Sequence, residues 1–100
     1  MSSGFVAILT VELHFPEAGS LKAKRHHLRS ARDQLRNRFG AAVAEVDHHD
    51  LWQRATLTVA CVARDAAGAD DLAAGAERWL AYGDWVVARS DRILVSPDDD

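Results

Sequence analysis

The feature that most constrains the fold is a change in hydrophobic period, from two residues to about 3.6, between Phe5 and Phe39. Every second residue from Phe5 to Phe15 is apolar, whereas the residues between them become polar toward the end of the segment. This alternation predicts a β-strand with one face in a core. After a loop that ends at Ser20, an amphipathic helix is predicted, with Ser20 as its N-cap and Gly40 as its stop. The apolar stripe of that helix comprises Leu21, Leu28, Ala31, Leu35 and Phe39.

The rest of the chain contains further segments with the two-residue period of a strand and the 3.6-residue period of a helix. A second strand is predicted over residues 42–47, a polar hairpin connection over 48–51 and a third strand over roughly 53–64. Asp65 is the predicted cap of a second helix, which Gly83 closes. A fourth strand over 85–95 is interrupted by the polar run Arg89 to Arg92, which predicts a bulge or a bend.

The order strand, helix, strand, strand, helix, strand predicts an α+β, ferredoxin-like fold, in which a four-stranded antiparallel sheet carries two helices on one face. At 100 residues and 48% hydrophobic content, the chain has enough apolar material for one core. We therefore predict one domain over residues 4–96, followed by an acidic, disordered tail over residues 97–100.

The uncovered face of this sheet should be partly apolar. A partly apolar face favours a partner, most simply a second copy of the chain in a homodimer. It has no aromatic residue in the middle of strands one and three, so it differs from the base-stacking sheet of RNA recognition modules. The residues expected on it are Val6, Ile8, Thr10, Glu12, His14, Val43, Glu45, Asp47, Thr56, Thr58, Ala60 and Val62.

Charge is distributed unevenly along the chain. The net charge is −3, yet residues 21–39 hold seven basic residues and one acid, against five basic and fourteen acidic residues elsewhere. Five cations at spacings of 3, 4, 3 and 4 form one edge of the first helix, which we call the basic ridge: Lys22, Arg25, Arg29, Arg32 and Arg36. Like charges at such spacing repel, so a role in contacting phosphates is one interpretation. The alternatives are a solvated face balanced by the acidic remainder, or a docking surface for an acidic protein, including the chain's own dimer mate.

Two further basic residues extend the candidate anion-binding set. Arg38 follows the basic ridge in sequence, and Lys24 lies at the start of the helix. Lys24 could extend past the core to solvent, or it could share an anion site at the helix N-terminus with Ser20 and Lys22.

A second candidate patch surrounds the hairpin connection and comprises Glu45, Asp47, His48, His49, Asp50, Gln53 and Arg54. Adjacent histidines point apart and no second ligand cluster supports them, so polar turn residues are favoured over a metal site. Cys61, the single cysteine, is expected to be an inert thiol on the core face of strand three. We predict no catalytic residue, no cofactor and no metal.

No membrane association is expected, because the apolar segment from Phe5 to Val11 is far shorter than the about 20 residues that span a bilayer. A lone cysteine fits a reducing compartment, which favours a cytoplasmic protein.

The sequence resembles the bacterial YlxP-like family, known as domain of unknown function 503. The likeness extends from Phe5 to about Val95, and two stretches within it mark the family, residues 20–25 and 45–54. The matching motifs are Ser20-Leu21-Lys22-Ala23-Lys24-Arg25, Arg36-Asn37-Arg38-Phe39, Ala44-Glu45-Val46-Asp47 and Asp50-Leu51-Trp52-Gln53-Arg54. This resemblance implies a ferredoxin-like, cytoplasmic protein often encoded beside translation and ribosome-maturation factors, and it implies no established activity. Together these observations predict a non-catalytic accessory protein that contacts structured RNA, such as rRNA, or a ribosomal particle through its first helix.

Overall fold

The computed structural model of the protein describes residues 3–98. The elements follow the predicted order: β1 (Phe5–His14), α1 (Leu21–Phe39), β2 (Ala42–Asp47), β3 (Arg54–Ala63), α2 (Ala66–Ala81) and β4 (Val86–Val95). The strands form one sheet in the order β2-β3-β1-β4, and each neighbouring pair is antiparallel. The predicted ferredoxin-like fold is confirmed.

Both helices begin at the predicted caps. The Ser20 hydroxyl accepts a hydrogen bond from the Ala23 amide at 3.1 Å, and the Asp65 carboxylate accepts one from the Gly68 amide at 2.7 Å. Gly40 ends α1 in the left-handed region, with φ of 62°. Glycine enters this region without steric cost, so α1 stops where the sequence predicts.

The end of α2 differs from the prediction. The helix ends at Ala81 with Tyr82 as its C-cap, and Gly83 does not take up a left-handed conformation. Gly83 instead accommodates an aromatic ring, because a Cβ atom there would lie 2.2 Å from Cε2 of Trp85. The indole of Trp85 donates to the Leu80 carbonyl at 2.8 Å, which holds the ring over the glycine.

The core lies between the two helices and one face of the sheet. Alternate residues of β1 and β3 supply one side of it, and Cys61 is among them, fully buried as predicted. Burial raises the pKa of the Cys61 thiol, which keeps it protonated and unreactive. The α2 side is built from Ala69, Ala73, Ala76 and Leu80. The three alanines let α2 approach β1 and β3 closely, while α1 packs against β2 and α2.

The pairing of β2 with β3 overturns part of the prediction for the uncovered face. Val43 is opposite Val59 and Glu45 is opposite Leu57, so both point toward the helices. A register shift between Glu45 and Asp47 then places Asp47 opposite Thr56, on the uncovered face as predicted. In this short strand both the odd-numbered and the even-numbered positions carry apolar residues, so the sequence pattern does not show which face of β2 points to the core.

The irregularity in β4 lies beside the predicted segment. Arg89 is opposite Glu12 and Val87 is opposite Leu13, which leaves Ala88 as the extra residue of a bulge. Arg92, opposite Leu9, reaches the helix side and pairs with Asp70 at 3.0 Å and Glu77 at 3.2 Å. Arg92 therefore binds β4, an edge strand of the sheet, to α2 through ion pairs.

Asp98, predicted to be part of the acidic tail, accepts a hydrogen bond from the Ser3 amide at 2.8 Å. That hydrogen bond lowers the pKa of the Asp98 carboxyl. The prediction for Asp99 and Asp100 falls outside the described residues. Over residues 3–98, no helix is both long enough and apolar enough to cross a membrane.

Candidate nucleic-acid interface

The basic ridge lies along the exposed edge of α1. All five of its side chains are exposed, and so is that of Arg38. From Lys22 to Arg36 the ridge extends about 21 Å at 1.5 Å per residue. The spacing of its members thus produces the continuous cationic edge that the sequence predicts.

Most of this charge is not neutralised by other residues between 3 and 98. Of the ridge residues, only Arg36 forms an ion pair with another described residue, to Asp33 at 3.5 Å between two exposed side chains. Arg38 donates to the amide oxygen of Gln34 at 3.0 Å rather than to a carboxylate. The carboxylates of Glu12, Glu45, Asp70, Glu77 and Asp91 pair with cations outside the ridge.

Lys24 does not belong to this surface. Its side chain is 1% exposed, and its ammonium lies 2.8 Å from Oε2 of Glu45 and donates to the His48 carbonyl at 2.6 Å. Both sequence interpretations of Lys24 are therefore wrong, because the ammonium reaches neither solvent nor an external anion. The cause is the orientation of Glu45, which the register of β2 directs toward α1.

This contact also fixes the β2–β3 connection. His48 has φ of 65°, an uncommon conformation for a residue with a side chain, and Lys24 holds its carbonyl. The Asp47 carboxylate accepts from the His48 amide at 2.8 Å. One buried side chain of α1 therefore positions the turn between two strands.

A cavity of about 230 Å³ opens between α1 and β2. Three ridge arginines and one carboxylate contribute its charged lining, and three apolar residues complete it. Leu57 is 2% exposed and forms its floor. The lining residues are Arg25, Leu28, Arg29, Arg32, Val43, Glu45 and Leu57. The ridge is therefore one wall of a concave site rather than a flat surface.

The second candidate patch does not form one site. Glu45 faces the helices, whereas Asp47 and Arg54 lie on the uncovered face. His49 Nε2 is 3.0 Å from the Glu45 carbonyl oxygen, and Gln53 donates to the Pro16 carbonyl at 3.5 Å. Asp50, Gln53 and Arg54 line a separate cavity with exposed Trp52. In the part of the chain that the structure describes, no three His, Cys, Asp or Glu side chains are placed to hold a metal ion.

Arg54 organises the polar end of the uncovered face. Its guanidinium forms an ion pair with Glu12 across the β1–β3 pairing and lies 3.3 Å from Nε2 of His48. The hydrogen bond from Arg54 lowers the pKa of the Glu12 carboxyl below its usual value. Thr10 and Thr58 pair at the centre of this face, so the predicted absence of base-stacking aromatic residues there is confirmed.

Comparison with known proteins supports the family resemblance. The profile of the family described as "Protein of unknown function (DUF503)" matches residues 6–89. The chain belongs to the DUF503 family. A curated relative, the "Uncharacterized protein YlxP" of Bacillus subtilis (strain 168), is 37% identical over 46 residues, which is 46% of this chain and 50% of that protein. The chain thus spans half the length of the curated relative it matches.

In this DUF503 chain, the two stretches that mark the family meet in space. Lys24 belongs to the first stretch, and its two partners, Glu45 and His48, belong to the second. The contact joins α1 to the β2–β3 connection beside the ridge cavity.

Sequence reasoning missed the apolar part of this cavity. The prediction that Leu28 belongs to the core stripe is confirmed, but the stripe does not reveal that this residue also lines a cavity. The prediction that Val43 lies on the uncovered face is wrong. A signal was present in β2, where the acidic residue Glu45 lies two residues from Val43 and therefore on the same face of the strand. That spacing predicts only that the two share a face, and the pairing with β3 decides that this face is the one toward the helices.

Proposed function

We propose that this protein is a non-catalytic accessory factor that binds structured RNA, including rRNA in a ribosomal particle, through the basic ridge. The observation that supports the proposal is the exposure of four ridge cations without a carboxylate partner among residues 3–98: Lys22, Arg25, Arg29 and Arg32. Arginine suits phosphate contact because its planar fork meets two oxygens at once. Arg38 extends the same surface, and Lys24 supports it from within.

A charge-reversal experiment tests this proposal. Arg29→Glu combined with Arg32→Glu should weaken binding to a structured rRNA fragment about tenfold or more at fixed salt, because two phosphate contacts become repulsive. The matched control is Arg64→Glu with Arg78→Glu, which reverses two exposed arginines elsewhere and changes net charge equally. If both double variants weaken binding equally, the ridge is not the binding surface.

We propose in addition that the uncovered sheet face forms a homodimer. Its apolar end exposes Val62 (67%), Ile93 (58%) and Val95 (41%), which extend a surface shared with Val6 and Ile8. A two-fold dimer needs a patch that complements itself, and an apolar patch does so. Both helices lie on the opposite side of the sheet, so the ridge would stay accessible in the dimer.

A second function is favoured by the same uncompensated charge, namely docking of α1 on an acidic protein surface, including that of its dimer mate. Sizing of the Arg29→Glu/Arg32→Glu variant in dilute buffer separates the two functions. Self-association that collapses only in this variant supports docking between copies, whereas unchanged association with lost RNA binding supports the RNA function. A cytoplasmic location fits either function and the family resemblance.

A further inference from the structure

The cavity between α1 and β2 combines features that phosphate binding alone does not require. Arg25, Arg29 and Arg32 can meet phosphates, but Leu28, Val43 and Leu57 give the same cavity an apolar lining. Its volume of about 230 Å³ is below the about 300–1,000 Å³ of pockets for drug-sized ligands. The space suits one planar ring system rather than a whole nucleotide.

A nucleobase matches this combination of surfaces. Its faces are apolar and polarisable, and arginine guanidinium planes stack on them in complexes with single-stranded RNA. Lys22 and Arg36, at the two ends of the ridge, would then meet phosphates of neighbouring nucleotides on either side of the bound base. A paired base in a helix cannot enter, because its faces are stacked on its neighbours.

Glu45 adds a preference among bases. Its Oε2 atom is buried and lies 2.8 Å from the ammonium of Lys24, which fixes the carboxylate in the cavity wall. A carboxylate accepts a hydrogen bond from an exocyclic amine, such as N4 of cytosine. Uracil carries a carbonyl oxygen at that position, and this oxygen would repel the carboxylate of Glu45 because both groups are hydrogen-bond acceptors.

We propose that this cavity binds one unpaired, amine-bearing base of an RNA strand whose phosphates contact the basic ridge. The proposal rests on the proposed RNA function and names the element that the site recognises, an unstacked nucleotide in a loop, bulge or end. Lys24 acts as a positioning residue, since it holds Glu45 without reaching the ligand.

Fluorescence anisotropy with labelled oligocytidylate, oligouridylate and a blunt RNA duplex of equal phosphate number tests the proposal. Wild-type protein should bind oligocytidylate about threefold or more tighter than oligouridylate, and the duplex more weakly than oligocytidylate. Val43→Phe, which fills the cavity without altering charge, should weaken oligocytidylate binding about fivefold or more, the cost of one lost base stack. Val46→Phe is the control, because this exposed valine of the same strand lies outside the cavity.

Two results are distinguishable. The base site is overturned if the protein binds all three RNAs with equal affinity, or if Val43→Phe leaves the affinity unchanged. If binding nevertheless depends on Arg29 and Arg32, the proposed function is still supported. A wild-type protein that binds neither these three RNAs nor the structured rRNA fragment overturns both. If circular dichroism shows that Val43→Phe does not fold, the comparison of the three RNAs with wild-type protein decides alone.

Discussion

Removing the buried ammonium of Lys24 should be among the most damaging single changes to this fold. Lys24→Met keeps the length of the side chain but leaves the buried Oε2 of Glu45 and the His48 carbonyl without their cation. Breaking a buried ion pair in this way costs about 3–5 kcal/mol. Because the Glu45 side chain is 22% exposed, water can reach part of it, and we expect the lower end, about 3 kcal/mol.

Urea denaturation followed by circular dichroism measures this cost. In a separate thermal unfolding experiment, a loss of about 3 kcal/mol in a domain of this size corresponds to a fall in Tm of about 12–24 °C. The double variant Lys24→Met/Glu45→Leu removes both charges and should recover most of the loss, because no unpaired charge remains. Lys22→Met changes an exposed neighbour that forms no ion pair with another described residue, and it should alter stability by less than about 0.5 kcal/mol. A cost below about 1 kcal/mol for Lys24→Met, or a double variant as unstable as the single one, would refute this reasoning.

Three further predictions concern other parts of the molecule. The pKa of Glu12 is lowered in the folded state, so the pairing of its carboxylate with Arg54 stabilises the fold at pH values above the ordinary pKa of 4.5, and this stabilisation is lost as the pH falls below 4.5. The stability difference between wild type and Glu12→Gln should therefore be largest at neutral pH and shrink in acid. A difference that grows in acid would contradict the assignment. Gly83→Ala should destabilise the domain by about 1–3 kcal/mol and shift tryptophan fluorescence, because Trp85 must move, whereas Gly19→Ala, which has open space around it, should not. Ile93→Asp should convert a dimer to a monomer in analytical ultracentrifugation while Tyr82→Asp, an 89% exposed position away from the sheet face, does not, and a dimer that survives Ile93→Asp would rule out this interface.

The order and caps of the elements were predictable because each segment carries a local signal. Ser20, Asp65 and Gly40 act within one helical turn of themselves, and the ten residues of β1 alternate long enough to define a face. The face of β2 was not predictable. That strand has six residues with apolar side chains at both parities, so its orientation depends on pairing with β3 and on α1 above it.

The candidate site was predictable only in its charge. The spacing of the ridge arginines is a property of one helix, so the sequence alone reveals it. The cavity and the burial of Lys24 depend on where α1 lies relative to β2, which is a tertiary property. A helical lysine next to the apolar stripe is compatible with solvent exposure until an acid on a neighbouring strand is known to face it.

The most direct test of the central claim, that ridge cations meet RNA phosphates, is the salt dependence of RNA affinity. Five contacts predict that the logarithm of the association constant falls against the logarithm of salt concentration with a slope of about −3.5 for single strands to −4.5 for duplex. Arg29→Gln with Arg32→Gln should reduce the steepness by about two contacts, while Arg64→Gln with Arg78→Gln should leave it unchanged. A wild-type slope near zero, or a slope that the ridge variant does not alter, would contradict the claim.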